Sequence, residues 1–386
     1  MLYVGIDVAK NKHDFAVLDA EGKLILKNKN FLNSRTGFNF LHHQLQQLNQ
    51  PCLIALEDTG HYALNLLAFL QENNYPTYSY NPLLIKEFAR STSLRKTKTD
   101  KKDAALIALR LFSDAARERF RTKDSTQIEL KTLSRYVSRL TGQQTLAKIQ
   151  YTRLLDILFP ELAKALGKKE NTHHNYVYEL LKRYPSPGKI LKAGFDKILE
   201  IPYLTAQHAL AILDAAEHSI GTTSEAKEFE LLQTIELLHF LQGQLKQANT
   251  KVEDLMESLD SVITTVKGIG NRFGSVILAE IGNIQYFKTA AQVLAFAGLE
   301  PAIYQSGQSS ATGKMVKHGS PHLRWALIQA ASSVTRYSPV FKAYLTEKLK
   351  QGKHWTVALT HVARKLVRVL FCLLKNNKQF DEAQLR

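Results

Sequence analysis

Cysteine is nearly absent from this 386-residue sequence, with only Cys52 and Cys372 present. Each stands in an apolar run, which favours buried free thiols over a disulfide or a thiolate metal site. The histidines show no Cys/His spacing of the zinc kind. His173 and His174 read as surface residues, and His318 as one within reach of a phosphate. Long apolar runs are missing as well: no stretch reaches about 18 residues, so no membrane span is expected. Met1-Leu2-Tyr3-Val4-Gly5 leads directly into a strand pattern without a signal peptide, and the expected compartment is a reducing cytoplasm.

Acid is scarce relative to base. There are 35 Asp+Glu against 51 Lys+Arg, a net charge of +16. An excess of that size points to a polyanionic partner and says little about fold. It is also uneven. Between Lys86 and Lys123 stand 12 basic and 5 acidic residues, and between Lys314 and Lys375 stand 12 basic residues and one acid, Glu347. Two basic regions suit a chain that holds nucleic acid at more than one point, although solvated helix faces would also give this pattern.

Strand and helix signals alternate at the start. Leu2–Val8, Lys12–Asp19 and Lys23–Phe31 read as a three-stranded meander with tight turns. A helix over Ser34–Leu48, a buried strand over Cys52–Leu56, a helix over His61–Glu72 and a strand over Tyr75–Tyr80 follow, then helices over Pro82–Phe88 and Asp100–Phe112. The order βββαβαβα is that of an RNase H-like domain. From Thr126 to about Leu259 strand signals vanish. Pro160, Pro185, Pro187 and Pro202 divide the earlier half into short helices. Leu231, Leu238, Leu245, Val252 and Leu259 then recur every seven residues, with Leu241, Ala248 and Leu255 offset by three, predicting a coiled coil or a long helical hairpin. Beyond Ile263, Gly268 and Gly270 resemble the turn of a helix-hairpin-helix, whose N–H groups can face a phosphate. Helices are expected over Phe273–Ile281, Ala290–Ala297, His322–Ser333 and Thr356–Leu374. Tyr304–Ser320 is a polar Gly/Ser-rich connection. The expected division is 1–125, 126–260 and 261–386: α/β, then all-α, then mostly helical.

The carboxylates carry the chemistry. Asp7 lies inside an apolar strand, where a charge is costly unless it is paired or bound to metal. Glu57 ends another apolar strand, though neighbouring Asp58 also suits a helix cap. Asp100 and Asp103, three apart, share a helix face, and Asp100 equally suits an N-cap. In an RNase H-like sheet the first and fourth strands are neighbours, which would bring Asp7 and Glu57 together under the helix carrying Asp100 and Asp103. Mutually repelling carboxylates suit Mg2+ or Mn2+, hard ions that can serve phosphodiester transfer. Arg95, Lys96, Lys98, Lys101 and Lys102 surround the last two acids and would attract a phosphate backbone.

Gly5-Ile6-Asp7-Val8-Ala9-Lys10, Glu57-Asp58-Thr59-Gly60 and Lys98-Thr99-Asp100-Lys101-Lys102-Asp103-Ala104 resemble the N-terminal DEDD domain of the IS110-family transposases. Gly268-Ile269-Gly270, Ala279-Glu280-Ile281-Gly282, Phe296-Ala297-Gly298-Leu299-Glu300-Pro301, Ser306-Gly307 and Lys317-His318-Gly319-Ser320 resemble that family's C-terminal transposase domain. The resemblance implies a RuvC-like domain with Asp7, Glu57, Asp100 and Asp103 as metal-binding acids. It also implies a serine that attacks DNA and becomes covalently linked to it, mapping best to Ser306, with Ser309 and Ser310 in the same loop. Partners implied are the DNA of element ends and target, a structured guide RNA from the element, and further copies of the chain in a dimer or tetramer. The implied setting is the bacterial or archaeal cytoplasm, at the nucleoid. Lys314, Lys317, Arg324, Arg336, Lys342, Arg364, Lys365 and Arg368 would meet backbone phosphates, which position nucleic acid without reading its sequence. Ser320 departs from the Asn expected in the Lys-x-Gly-Asn pattern. A RuvC-like Holliday-junction nuclease would use the same acids with water as nucleophile. A sugar-kinase-like ATPase also opens with Gly-Ile-Asp on a first strand, but no second Asp-x-Gly phosphate loop is found.

Overall fold

Apolar alternation and tight turns build a five-stranded sheet at the start of the chain. A computed structural model describes residues 1–57, 60–80, 82–92, 100–115, 125–167, 171–306 and 309–385; at 28, 60, 83–84, 92, 100–102, 115, 125, 302–306 and 309–314 only the backbone is described. The strands are β1 (Leu2–Asp7), β2 (Lys12–Leu18), β3 (Leu24–Leu32), β4 (Cys52–Glu57) and β5 (Thr77–Tyr80), in the order β3-β2-β1-β4-β5. β1 pairs antiparallel with β2 and parallel with β4, and β5 runs parallel to β4. Helices α1 (Arg35–Gln47) and α2 (Leu64–Glu72) lie on one face, their Phe38, Leu41, Leu66 and Leu70 sharing a core with Leu2, Val4 and Ile6. Ser34 caps α1 by accepting from the Gly37 N–H. α2 is preceded by a single 3-10 turn over Gly60–Ala63, so the α-helix itself begins later than His61.

α3 (Pro82–Thr92) and α4 (Asp100–Ala115) follow. α4 lies on the other face, where Ile107 and Leu111 pack with Ala55 and Tyr78. Its approach to β1 is fixed at Gly5: a Cβ there would collide with the backbone of Ala104 and Ala108. Strand and helix therefore meet main chain to main chain.

Prolines punctuate the helical remainder. α5 (Ser125–Leu158) stops before Pro160; α6 (Leu162–Ala165) and α7 (Asn175–Arg183) follow, and α7 ends before Pro185. α8 (Pro187–Leu199) starts on a proline and ends before Pro202, and α9 (Ala206–Glu217) precedes the long α10 (Glu225–Leu259). Thr222 N–H donates to the Ile157 carbonyl, and Gln150 on α5 hydrogen-bonds Glu230 on α10, so α10 runs back antiparallel to α5. Its heptad positions Leu231, Leu238, Leu241 and Ala248 share a core with Leu140, Ala147, Tyr151 and Leu154 of α5. Over that length the seven-residue seam packs within the chain.

The last helices are α11 (Asn271–Ile281), α12 (Ala290–Ala297), α13 (Pro321–Tyr337), α14 (Pro339–Lys350) and α15 (Trp355–Asn376). Two expectations fail here. The polar stretch from Tyr304 falls largely in a β-hairpin, β6 (Pro301–Ser306) with β7 (Ser309–Met315), whose first strand begins three residues earlier. Its Gly, Ser and Thr content gives no apolar alternation, so the strands are invisible to periodicity. Cys372 is exposed on α15, because its neighbour Leu373 takes the buried face; Cys52 is buried as expected. The chain divides into two compact units, Met1–Gln127 with Gly282–Val293, and Ile128–Ile281 with Leu294–Arg386. Among the described residues no helix is long and apolar enough to cross a membrane.

Gly5→Ala should destabilise the N-terminal unit by about 1–3 kcal/mol, since backbone cannot yield as a side chain can. A denaturant titration followed by α4 protection from proteolysis measures this, and an unchanged midpoint would contradict the contact.

Candidate active site: a row of carboxylates and an anchored hairpin

Register places the first set of acids. Tyr3, Gly5 and Asp7 of β1 stand opposite Leu18, Ala16 and Asp14 of β2. Across β4, Gly5 pairs with Ala55 and Ile6 with Leu56, which brings Glu57 level with Asp7. Alternate residues share a face, and two contacts identify this one as the α4 side. Tyr3 meets Phe112 edge-on with ring centroids 5.2 Å apart, and Gly5 abuts Ala104 and Ala108. Moving from Tyr3 to Gly5 thus moves toward the N-terminus of α4. One step further along β1, Asp7 lies at the end where the first turn of α4 begins, the turn carrying Asp100 and Asp103.

Asp7, Glu57 and Asp103 are half-buried, and each is engaged in a hydrogen-bonding or electrostatic contact. Asp14, which periodicity alone did not single out, completes the row and is only 5% exposed. The side chains of Asp100, Lys101 and Lys102 lie outside the description, as do Arg95, Lys96 and Lys98 altogether. Among the described residues no group of three or more His, Cys, Asp or Glu is tight enough to hold a metal ion. In kind, however, the donors fit a hard divalent cation: carboxylate oxygens from two central strands and one helix turn, with a further buried carboxylate beside them.

In the second unit the hairpin is held at its root. Val316 N–H donates to the Glu300 carbonyl, and Arg364 Nε on α15 donates to the Leu299 carbonyl at 2.7 Å. Gly298 is left-handed at φ 65°, and Gly319 is packed so closely on Phe296 and Gly298 that a Cβ would strike their backbone. Ser306 is the last residue of β6, paired with Ser309 across the turn; its side chain, like that of Lys314, lies outside the description. Lys317 is exposed. Arg324 Nη1 donates to the carbonyls of Ala297 and Lys317, tying this cation to the root. Gly268, at φ 100°, packs against the α13 backbone at Val334, so packing explains this glycine, while Gly270 faces open space.

Under the root lies Glu280 of α11, its side chain 3% exposed. Arg135 of α5 grips it with Nε and Nη2 at 2.8 and 3.2 Å, Lys131 stands 3.7 Å away, and the Ser320 hydroxyl donates to it at 2.9 Å. Burial alone would push this carboxyl up, but the Arg135 hydrogen bonds, the charges of Lys131 and Arg135, and the Ser320 hydroxyl together hold it below its ordinary value of 4.5. Ser320 also caps α13 by accepting from the Leu323 N–H at 3.2 Å. One hydroxyl thus donates and accepts at once. An Asn amide has one group for each task, which explains why Ser can stand where Asn was expected.

α14 and α15 add a cationic face. His361, Arg364, Lys365 and Arg368 follow helical spacing on α15. Lys348 and Lys365 both lie over the Tyr344 ring, at 5.0 and 5.1 Å. Burial, then Arg364, Lys353 and Lys348, lower the pKa of His361. These cations sit close enough to repel one another, a cost that a polyanion would relieve.

Comparison with known proteins agrees at both ends of the chain. Residues 4–160 match the model of DEDD-type IS110 transposases, and residues 260–346 that of transposases of the IS116/IS110/IS902 family. The chain is 26% identical to an insertion element IS110 protein of 43.6 kDa from Streptomyces coelicolor, over 98% of this chain and 95% of that one. It is 25% identical to the pilin gene-inverting protein of Moraxella bovis, over 98% of both chains. It is 24% identical to the mini-circle putative transposase for IS117 of Streptomyces coelicolor, over 99% and 95%. Both ends therefore define a transposase, an enzyme of DNA recombination whose partner is DNA. The chain belongs to the IS110 family of these enzymes.

Ser320→Ala should cost about 1–2 kcal/mol through loss of the cap and of one charge-assisted bond, and Ser320→Asn much less; thermal melts compare them. A carboxyl held below 4.5 when folded contributes stability that is present above that pH and lost as pH falls through the folded value. Glu280→Gln should therefore flatten the acid limb of the stability profile below about pH 4.5. An unchanged limb would mean Glu280 is unpaired in solution.

Proposed function

We propose that the chain cuts and exchanges DNA strands by metal-dependent transesterification through a covalent serine–DNA link, with a structured RNA from its element guiding the choice of site. The observation that carries the metal half is the placement of Asp7 and Glu57 level on adjacent parallel strands, beneath the helix turn that bears Asp100 and Asp103. The order β3-β2-β1-β4-β5 supports reading this unit as RNase H-like and specifically RuvC-like. Asp7, Glu57, Asp100 and Asp103 would hold Mg2+ or Mn2+. When bound, such an ion supplies charge neutralisation at the scissile phosphate and its departing oxygen.

The chain's own residues would do the rest. Ser306 ends a strand whose root is fixed by Arg364, Arg324 and the Glu280 joint, about 17 Å of extended chain away. A fixed root sets the position of such an arm, which is what a nucleophile at its end requires. The Ser306 oxygen would attack phosphorus and lose its proton to a base, and a deoxyribose oxygen would leave. The phosphoserine ester conserves the phosphodiester bond, so a second DNA hydroxyl can displace the serine and reseal the strand. The α15 face and the Lys86–Lys123 stretch would hold backbone phosphates. Guide RNA and assembly into a dimer or tetramer rest on family membership, as does the division of labour among segments 1–125, 126–260 and 261–386. The alternative is a RuvC-like nuclease that uses the same acids and water.

The test is a strand-transfer assay with Mg2+, matched element-end DNA and the element's transcript, with protein–DNA adducts trapped on a denaturing gel. Wild type should form the adduct, while Asp7→Ala and Ser306→Ala should each lower strand transfer at least a hundredfold. Cleavage that survives Ser306→Ala without any adduct would establish water as the nucleophile, whereas an adduct that persists in Ser306→Ala would move the nucleophile to Ser309 or Ser310.

A further inference from the structure

We propose that Trp325, on the outer edge of the α11–α13 pair, is a stacking platform for an unpaired base of the DNA strand that the C-terminal segment handles. The proposal rests on the strand-exchange reading above, because bases must leave their duplex partners when strands are exchanged.

Three observations carry it. The first is a large ring displayed singly. Trp325 on α13 is 43% exposed, and from Gln242 to Arg336 it is the one exposed large apolar side chain among the described residues. A protein-docking patch gathers several such side chains over a contiguous area. A lone indole among polar neighbours offers a flat face on which one base can stack. Half-buried His322, three residues before it, and exposed Gln329, four residues after it, share its side of the helix. The second is the way the ring is held. Phe273 of α11 meets it edge-to-face, with centroids 6.0 Å apart and planes at 66°. A ring that is both exposed and already oriented loses little freedom when a base lies on it.

The third is charge. Exposed Arg272 lies over the Phe273 ring, 5.5 Å from its centroid, and has no carboxylate partner among the described residues. From Ser261 to Thr346 the sequence holds two acids, Glu280 and Glu300, and Glu280 is buried against Arg135. Exposed Lys267 precedes Gly268, which packs on Val334 near the far end of α13. One cation beside the aromatic pair and another farther along the same two helices suit a strand whose base stacks while its phosphates run past.

Trp325 also follows Arg324, which ties the hairpin root to the carbonyls of Ala297 and Lys317. It stands five residues, about 7.5 Å of helix, from Ser320. A base held there is held beside the root of the arm that bears Ser306. The platform falls within residues 260–346, the stretch that matches the transposase model, and DNA is the partner on which such enzymes act.

The experiment reads the Trp325 indole directly. Trp355 is the other tryptophan of the chain, so full-length Trp355→Phe protein reports on Trp325 alone. It is titrated with an oligonucleotide of about 12 nucleotides as single-stranded DNA, as duplex and as RNA. Single-stranded DNA should quench the emission more than duplex does. Trp325→Ala should weaken single-strand binding about tenfold and change duplex binding by less than about twofold, and Trp325→Phe should restore most of the affinity. Arg272→Ala should make the slope of log affinity against log salt shallower by about 0.7, and Trp325→Ala should leave that slope unchanged. Absence of quenching by DNA that the protein binds overturns the platform and leaves the strand-exchange reading standing. Equal loss of single-strand and duplex binding in Trp325→Ala overturns it in favour of a structural role. Stronger quenching by RNA than by DNA overturns it in favour of an RNA platform. Emission that follows protein concentration and not DNA overturns it in favour of an interface between copies. A wild type that neither binds DNA nor transfers strands overturns the reading and the proposal together. Should Trp325→Ala not fold, the quenching titration, made with the native indole, decides alone.

Discussion

The geometry of the N-terminal unit depends on one contact, the seating of α4 directly on the main chain of β1 at Gly5. Strand direction and helix direction are fixed relative to each other there, and the acids follow. Asp7 is two residues beyond Gly5, and Asp103 is one residue before Ala104. With β4 parallel to β1 and in register, Glu57 has no other level to occupy. The carboxylates are gathered by backbone architecture and not by attraction for one another, which their charge forbids.

The C-terminal arm obeys a different logic. The root of the hairpin is tied down by cations on carbonyl oxygens, Arg364 on Leu299 and Arg324 on Ala297, and by a serine that serves both a helix end and a buried carboxylate. Arginines whose charge suggests nucleic-acid contact can therefore carry architecture as well.

Much of this was legible in the residues. Leu2–Val8, Cys52–Leu56 and the helix from Asp100 announce themselves by apolar runs and spacing, and the prolines at 160, 185, 187 and 202 mark helix ends faithfully. Asp7 is conspicuous as a charge inside an apolar strand. The hairpin at Pro301–Met315 was illegible because the stretch from Tyr304 to Ser320 shows no apolar alternation that would announce strands. Glu280 appears in the sequence only as part of a short motif, since its partner Arg135 is 145 residues away and nothing local pairs them. Asp14 hides in the ordinary phrase Lys-His-Asp-Phe; only the register opposite Asp7 gives it meaning.

The Glu280 joint has a consequence for the order in which the second unit forms. It joins residues 145 apart on one side and 40 apart on the other. Loops of that length must close before the joint returns any stabilisation. The helices of α5, α11 and α13 can form locally, but their mutual locking belongs to the last, native-like stage of assembly. Slow-exchanging amides near Arg135 and Ser320 would then report completion of the unit and not its nucleation.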